Sequence, residues 1–377
     1  MATRVSKPEF NIRQKLSELD RPVGTNGSQL LKSADAAESF VLTQAGRRNL
    51  IINGNPIIYQ RARTATDHGV YNYYTADRWR TSSNGSYTKT GQWNQEVVLD
   101  QSIPGIGGKV NYIKYTNTSA ATSPTNASWG MNYRVENKDI APYLGKVMTL
   151  SCYMKSDEGI EIRSGFISGT TSSSIPLVAV GDPNTYIALT PEWKRYTWTF
   201  TLGNTLPASH MDIGLRTQVD KAGSACYTCL QFEEGNVATP FEFRSYAEEL
   251  GLCQRYFWRE YKGTYEYSPG PTNGCGTLGQ GTHPVTMRVK PTMSHSCTGS
   301  SVGNNGINSS AGQWTWYKQN SGYDGGASSY QTVANWNFAT TPVNWHGGSY
   351  NFRPSDTSGT TALQTGELTY IQATAEL

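Results

Sequence analysis

The chain has 377 residues, too many for one small core, so two or three structural units are the natural expectation. Its net charge is only +3 with no block of Lys or Arg, which argues against nucleic-acid binding through an electrostatic footprint. No apolar stretch approaches the length of a membrane span, and Met1-Ala2-Thr3-Arg4 does not read as a signal peptide, so synthesis and assembly in a cytosol are expected.

Residues 1–47 differ from the rest. Phe10–Asp20 has the spacing of a short amphipathic helix, with Ile12, Leu16 and Leu19 on one face, and Pro22 and Gly24 end it. A second short helix is expected over Ala36–Thr43, with Asp35 as N-cap. Such pieces are too short to hold a core alone. Phe10, Ile12, Leu16, Leu19, Leu30 and Leu31 therefore read as anchors of an arm that orders on a partner.

Residues 48–245 alternate strand and turn. Leu50–Ile52 reads as a strand reaching a turn at Asn53-Gly54, and Tyr73–Trp79 as the next. Trp93–Leu99, Tyr112–Tyr115, Trp129–Val135 and Leu144–Lys155 follow. Ile175–Val180, Trp193–Leu202, Met211–Thr217 and Cys226–Glu233 complete the series. Many short strands without a long helix predict an all-β fold, most simply a jelly-roll β-sandwich.

Residues 246–255 break the pattern. Pro240 and the alternating Phe241 and Phe243 lead into a helical run from Tyr246 to Leu252, before strand character resumes at Tyr256-Phe257-Trp258. This short helical junction predicts a hinge, with Glu248 and Glu249 on its solvated face. Residues 256–377 form a C-terminal β-sandwich tip with longer loops, in which Val285–Met293 and Leu368–Leu377 read as strands.

Several segments together resemble bacteriophage fibre proteins with a carbohydrate-binding-module-like jelly roll. They are Gly46–Gly54, Tyr74–Trp79, Leu144–Lys146 and its following strand, Leu230–Gly235 leading to Ala238–Glu242, the stretch on to Phe257, and Val285–Arg288 with Pro291-Thr292. The ordered series covers roughly residues 46–293. The resemblance implies a virion protein, usually a homotrimer, assembled in the bacterial host cytoplasm, with a jelly-roll body, a distal β domain and no catalytic residues. It implies a tail fibre that docks on other virion proteins through residues 1–47 and binds host surface polysaccharide. The alternative it leaves open is a head-decorating or neck-attached fibre with a structural role. Neither nucleic acid nor membrane is an expected partner.

Sugar binding needs aromatic faces for pyranose C–H surfaces and polar neighbours for hydroxyls. The tip supplies Trp314, Trp316, Tyr323, Tyr330, Trp336 and Trp345, with His346 and Arg353 among them. In the body, Tyr71, Tyr73, Trp93 and Trp129 form a second candidate surface, while Trp79 and Trp198 read as core. Enzyme chemistry has little support, since Glu233-Glu234 and Glu248-Glu249 are adjacent rather than paired across a cleft. Cys226-Tyr227-Thr228-Cys229 sits in strand pattern, which puts the sulfurs on opposite faces and predicts structural thiols, not a metal site. No cofactor is expected beyond a structural Ca²⁺, for which Asp67, Asp77, Glu233 and Glu242 are the candidate donors.

Overall fold

The computed structural model describes residues 47–179, 181–260, 283–289, 291 and 372–377 in full, and further strands between 264 and 371 as backbone. The chain divides into two compact units, Met1–Leu50 and Ile51–Leu377. Phe10, Ile12, Leu16, Leu19, Leu30 and Leu31, the expected anchors, lie outside the described residues.

The body is an antiparallel two-sheet sandwich of jelly-roll type. Its strands are β1 (Thr64–Ala65), β2 (Arg80–Thr88), β3 (Trp93–Ser102), β4 (Lys109–Asn117), β5 (Thr122–Glu136) and β6 (Val147–Lys155). They continue as β7 (Glu161–Ser168), β8 (Ile175–Val178), β9 (Ile187–Ala188), β10 (Lys194–Thr201), β11 (His210–Gln218) and β12 (Gly223–Glu234). One sheet has the order β1-β3-β4-β12-β6-β10; the other runs β2-β5-β11-β7-β8, with β9 also on β7.

Period-two burial drives this assembly. In β3, Trp93, Gln95 and Val97 point inward while their neighbours are partly exposed. Met131, Tyr133, Ile213 and Leu215 from one sheet meet Ile113, Leu150, Tyr227 and Phe232 from the other, all fully buried or nearly so. Each such side chain removed from water stabilises the fold by about 1.5–3 kcal/mol.

Two expected strands are absent, for local reasons. Ile51 is irregular and Ile52 already belongs to the turn, because the Ile52 N–H is donated to the Tyr133 hydroxyl (2.8 Å) and the Asn53 N–H to Glu249 Oε2 (2.8 Å) rather than to a ladder. Asn53 does turn, at φ 58°. Tyr74–Trp79 is likewise turn and bend; Arg78 at φ 71° interrupts extension, and the strand begins at Arg80.

The junction helix is real. It spans Tyr246–Gln254, with the Ser245 hydroxyl accepting the Glu248 N–H as an N-cap. Glu249, however, is not on a solvated face. It is 5% exposed, accepts from Asn53, and pairs with Arg244 at 3.2 Å. The helix is thereby fastened to the start of the sandwich, which makes the junction a fixed joint.

Among the described residues ten further strands follow: β13 (Phe257–Glu260), β14 (Thr264–Tyr267), β15 (Gln280–Thr282), β16 (Thr292–Ser296), β17 (Trp314–Lys318), β18 (Ser329–Val333), β19 (Trp336–Ala339), β20 (Ser349–Pro354), β21 (Gln364–Glu367) and β22 (Tyr370–Thr374). Of the expected strand at Val285–Met293, Val285–Val289 is irregular chain, and Thr292 and Met293 open β16. Pro284 and Pro291 bracket the irregular part, and the Arg288 N–H is donated to Arg255 O (2.9 Å) rather than to a ladder. In the sheet β13-β22-β16 the last strand pairs with the first, Phe257 opposite Thr374. The chain thus leaves the body and returns to it at one place.

Candidate functional site

The outer faces of the two body sheets are finished differently. That of the β12 sheet is covered by the segment leading to the junction helix. Glu242 N–H is donated to Gln231 Oε1 (2.8 Å), Thr239 N–H to Glu233 Oε1 (3.0 Å), and Phe241 packs on Ile103, Val110 and Cys229. β12 is accordingly buried along almost its whole length.

The outer face of the β2–β5–β11 sheet is polar and glycine-rich. Register places Arg80, Asn132, Gly214 and Phe166 in one row, and Ser82, Gly130, Arg216 and Ser164 in the next. Gly214 makes this possible: a Cβ there would stand 2.1 Å from the Phe166 ring, which lies flat across the strand. Arg216 rests its guanidinium over that ring (4.5 Å) and donates from Nε to Ser82 Oγ (2.6 Å). Burial pulls the Arg216 pKa down to about 10.

Beside this face the chain 71–73 runs along β2, with Tyr73 bridged to Arg80. Tyr71 N–H is donated to Thr81 O (2.9 Å) and its hydroxyl to Ser83 O (2.7 Å), while the residue is 54% exposed. Tyr71 adopts φ 63°, a costly conformation for an aromatic residue. A cleft of about 470 Å³ lies between this edge and the returning C-terminal strand. Tyr71, Asn72 and Arg80 line one side; Phe257, Arg259 and Gln372 line the other, with Arg61 and Glu376.

Most of the charge here is spoken for. Glu376 pairs with Arg61 (2.9 Å) and with Arg78, and Arg61 also lies over the Phe257 ring at 3.6 Å. Arg134 pairs with Asp212 (3.1 Å), to which His210 also points (3.4 Å). Arg259 donates from Nε to Gln372 Oε1 at 3.1 Å. Arg80 differs. The residue is 9% exposed, yet among the described residues its guanidinium has no ion-pair or hydrogen-bond partner; its neighbour is the Tyr71 ring at 5.3 Å. Burial first, and Arg134 second, pull its pKa below the usual arginine value.

The candidates from the sequence are sorted by this geometry. Trp93 and Trp129 are 3% and 1% exposed and stack on one another at 4.7 Å inside the sandwich, so they are core and not binding surface. Tyr73 is also buried, while Tyr71 stands at the cleft. Trp79 is fully buried as expected; Trp198, on the edge strand β10, is only partly so. In the tip, Trp314 and Trp316 occupy alternate positions of β17 opposite Val333 and Gln331, Tyr330 lies in β18, Trp336 in β19 and Arg353 in β20. Tyr323, Trp345 and His346 lie outside the described residues.

Cys226 and Cys229 are buried free thiols, both pushed up to about 12 by burial, which suits packing and not reactivity. The four carboxylates considered for calcium are held by protein groups: Asp67 by Lys89, Asp77 by Gln60 and Arg61, Glu233 by Gln231 and Thr239, and Glu242 by Arg244. Among the described residues no group of three or more His, Cys, Asp or Glu is placed to hold a metal ion.

No family model matches the chain, and no curated protein matches it. Among solved structures it is similar to the enzymatically active domain of tailspike protein 4 of bacteriophage CBA120, with 10% identity and a TM-score of 0.33 over 50% of this chain and 21% of that one. It is also similar to a CBM4, at 15% identity and TM-score 0.29, covering 48% of this chain and 98% of that one. A third is TmCBM61 in complex with beta-1,4-galactotriose, at 12% identity and TM-score 0.30, covering 50% of this chain and 100% of that one.

Proposed function

We propose that this chain is a non-catalytic glycan-binding fibre protein of a virion, and that its jelly-roll body binds a host surface saccharide in the Tyr71 cleft. The observation that carries the reading is Tyr71, an aromatic residue over half exposed that lines a polar cleft and is held in a left-handed backbone conformation. A pyranose stacks on such a ring while Asn72, Gln372 and the arginines take its hydroxyls. Glu376 is the carboxylate side chain among the lining residues and is neutralised by Arg61 and Arg78, so the cleft does not present the acid pair of a glycosidase. Docking through residues 1–47 and homotrimeric display, which turns weak contacts into avidity, complete the proposal; both are supported by the sequence resemblance.

The test is affinity electrophoresis through gels containing host surface polysaccharide. Wild-type protein is retarded and Tyr71→Ala migrates freely with an unchanged unfolding temperature. Equal retardation of both proteins would refute the cleft as the site.

A further inference from the structure

We infer that the cleft selects an acidic saccharide, its uronate carboxylate seated on Arg80 with Arg216 close by, and the sugar ring against Tyr71. The inference rests on the glycan reading above and adds the class of sugar.

A guanidinium withdrawn from water loses hydration that only an opposite charge or several acceptors can replace, so buried arginines are found paired. The neighbours of Arg80 obey this rule. Arg78 has Glu376, Arg61 has Glu376 and Asp77, and Arg134 has Asp212. Arg80 is 9% exposed, lines the cleft with its guanidinium still open to water there, and has no such partner. The acid that reaches this face, Asp212, is already taken by Arg134 and His210.

Arg216 repeats the pattern on the next row. Its contacts are a neutral hydroxyl and an aromatic ring, with no carboxylate. A bound anion would face Arg80 from the sheet, with Arg216 on the next row behind it. From the packed elements it would face Arg259, Arg61 with its partners Glu376 and Asp77, and Leu377, whose carbonyl oxygen accepts from Arg134. A planar carboxylate matches the fork of a guanidinium in a way that a hydroxyl cannot.

Arg80 is placed to do this because Tyr71 and Tyr73 flank it along the strand edge. The ring holds the guanidinium in one orientation without neutralising it. A sugar stacked on the exposed tyrosine would bring its exocyclic carboxylate over the cation. Recognition of the ring and of the charge are therefore separable.

The test measures binding of the full chain to uronate polymers (polygalacturonate, alginate and hyaluronate), to their carboxyl-reduced counterparts, and to dextran sulfate. Wild-type protein is expected to bind one uronate polymer at least about 10-fold more tightly than its reduced form. Arg80→Gln should abolish that difference, weakening binding to the acidic polymer far more than to the reduced one, whereas Tyr71→Ala weakens both alike. Arg80→Gln should unfold at or above the wild-type temperature, since it removes an uncompensated charge. A lower temperature would make Arg80 structural and overturn the inference. Equal affinity for acidic and reduced polymers would also overturn it, with the glycan reading intact. Tighter binding of dextran sulfate than of every uronate would reassign the pocket to sulfate esters. Failure of Tyr71→Ala to weaken any binding would sink the glycan reading itself.

Discussion

Arg78 and Arg80 stand on either side of Trp79, at the start of one strand, and the molecule treats them in opposite ways. Arg78 belongs to the joint where the C-terminal strands return to the body. It is 1% exposed, lies over the Tyr256 ring at 3.6 Å, donates to Arg134 O (2.6 Å) and pairs with Glu376. Arg80 belongs to the cleft and, among the described residues, has an aromatic neighbour but no acid. The same residue type is thus paired with an acid in one region and left without one in the other. Completed pairing is the signature of the joint, and missing pairing that of the cleft.

That contrast predicts a graded set of effects. Arg78→Ala, which leaves Glu376 with Arg61 alone and empties a fully buried position, should cost about 2–5 kcal/mol of stability in denaturant unfolding. A loss below about 1 kcal/mol would show that the joint does not depend on the pair. Next in size is the pH dependence centred on Asp77. Burial pushes its carboxyl up to about 6, against the pull of Arg61. A folded value above the ordinary 3.8 means that the folded state holds more protons between these limits. This contribution to stability is full below the ordinary value and is lost as pH rises through about 6. The slope is worth on the order of 2–3 kcal/mol across the window. Unfolding curves from pH 4 to 7 should show a flatter decline for Asp77→Asn; an identical decline would place the titration elsewhere.

Gly214→Ala should destabilise by about 1–3 kcal/mol, because the added methyl meets the Phe166 ring. Binding should fall with it, as Phe166 carries Arg216. Unchanged stability would show that the ring moves aside freely. The smallest stability effect belongs to Tyr71→Ala, within about 0.5 kcal/mol of wild type while binding is lost. A large drop in its unfolding temperature would make Tyr71 part of the structure rather than of the site.

The sandwich was legible in the sequence where alternation is strong. Strands such as Trp129–Val135 and Cys226–Glu233 pair as expected, because their inward positions carry large apolar groups. Arg80–Thr88 and Glu161–Ser168 were harder to see, since their outer positions are polar or glycine and their inner ones partly Thr and Ser. Tyr74–Trp79 misleads for a different reason: its aromatic and β-branched residues suit a strand, but tertiary contacts and a left-handed Arg78 hold it as a turn.

The site was half legible. Tyr71 could be named, but an exposed ring and the buried Trp93 and Trp129 look alike in composition. Arg80 and Arg216 carried no local signal at all. Their significance lies in which acids fail to reach them, and pairing across strands decides that. Glu249 shows the converse, an ordinary surface residue by sequence that Arg244 and the Asn53 N–H draw inward.

The most direct test of the account is a crystal structure of the protein with a bound uronate oligosaccharide. The account predicts a sugar ring against Tyr71, with its carboxylate within hydrogen-bonding distance of Arg80. A sugar seated on the strands between Trp314 and Pro354, with the Tyr71 cleft empty, would contradict it.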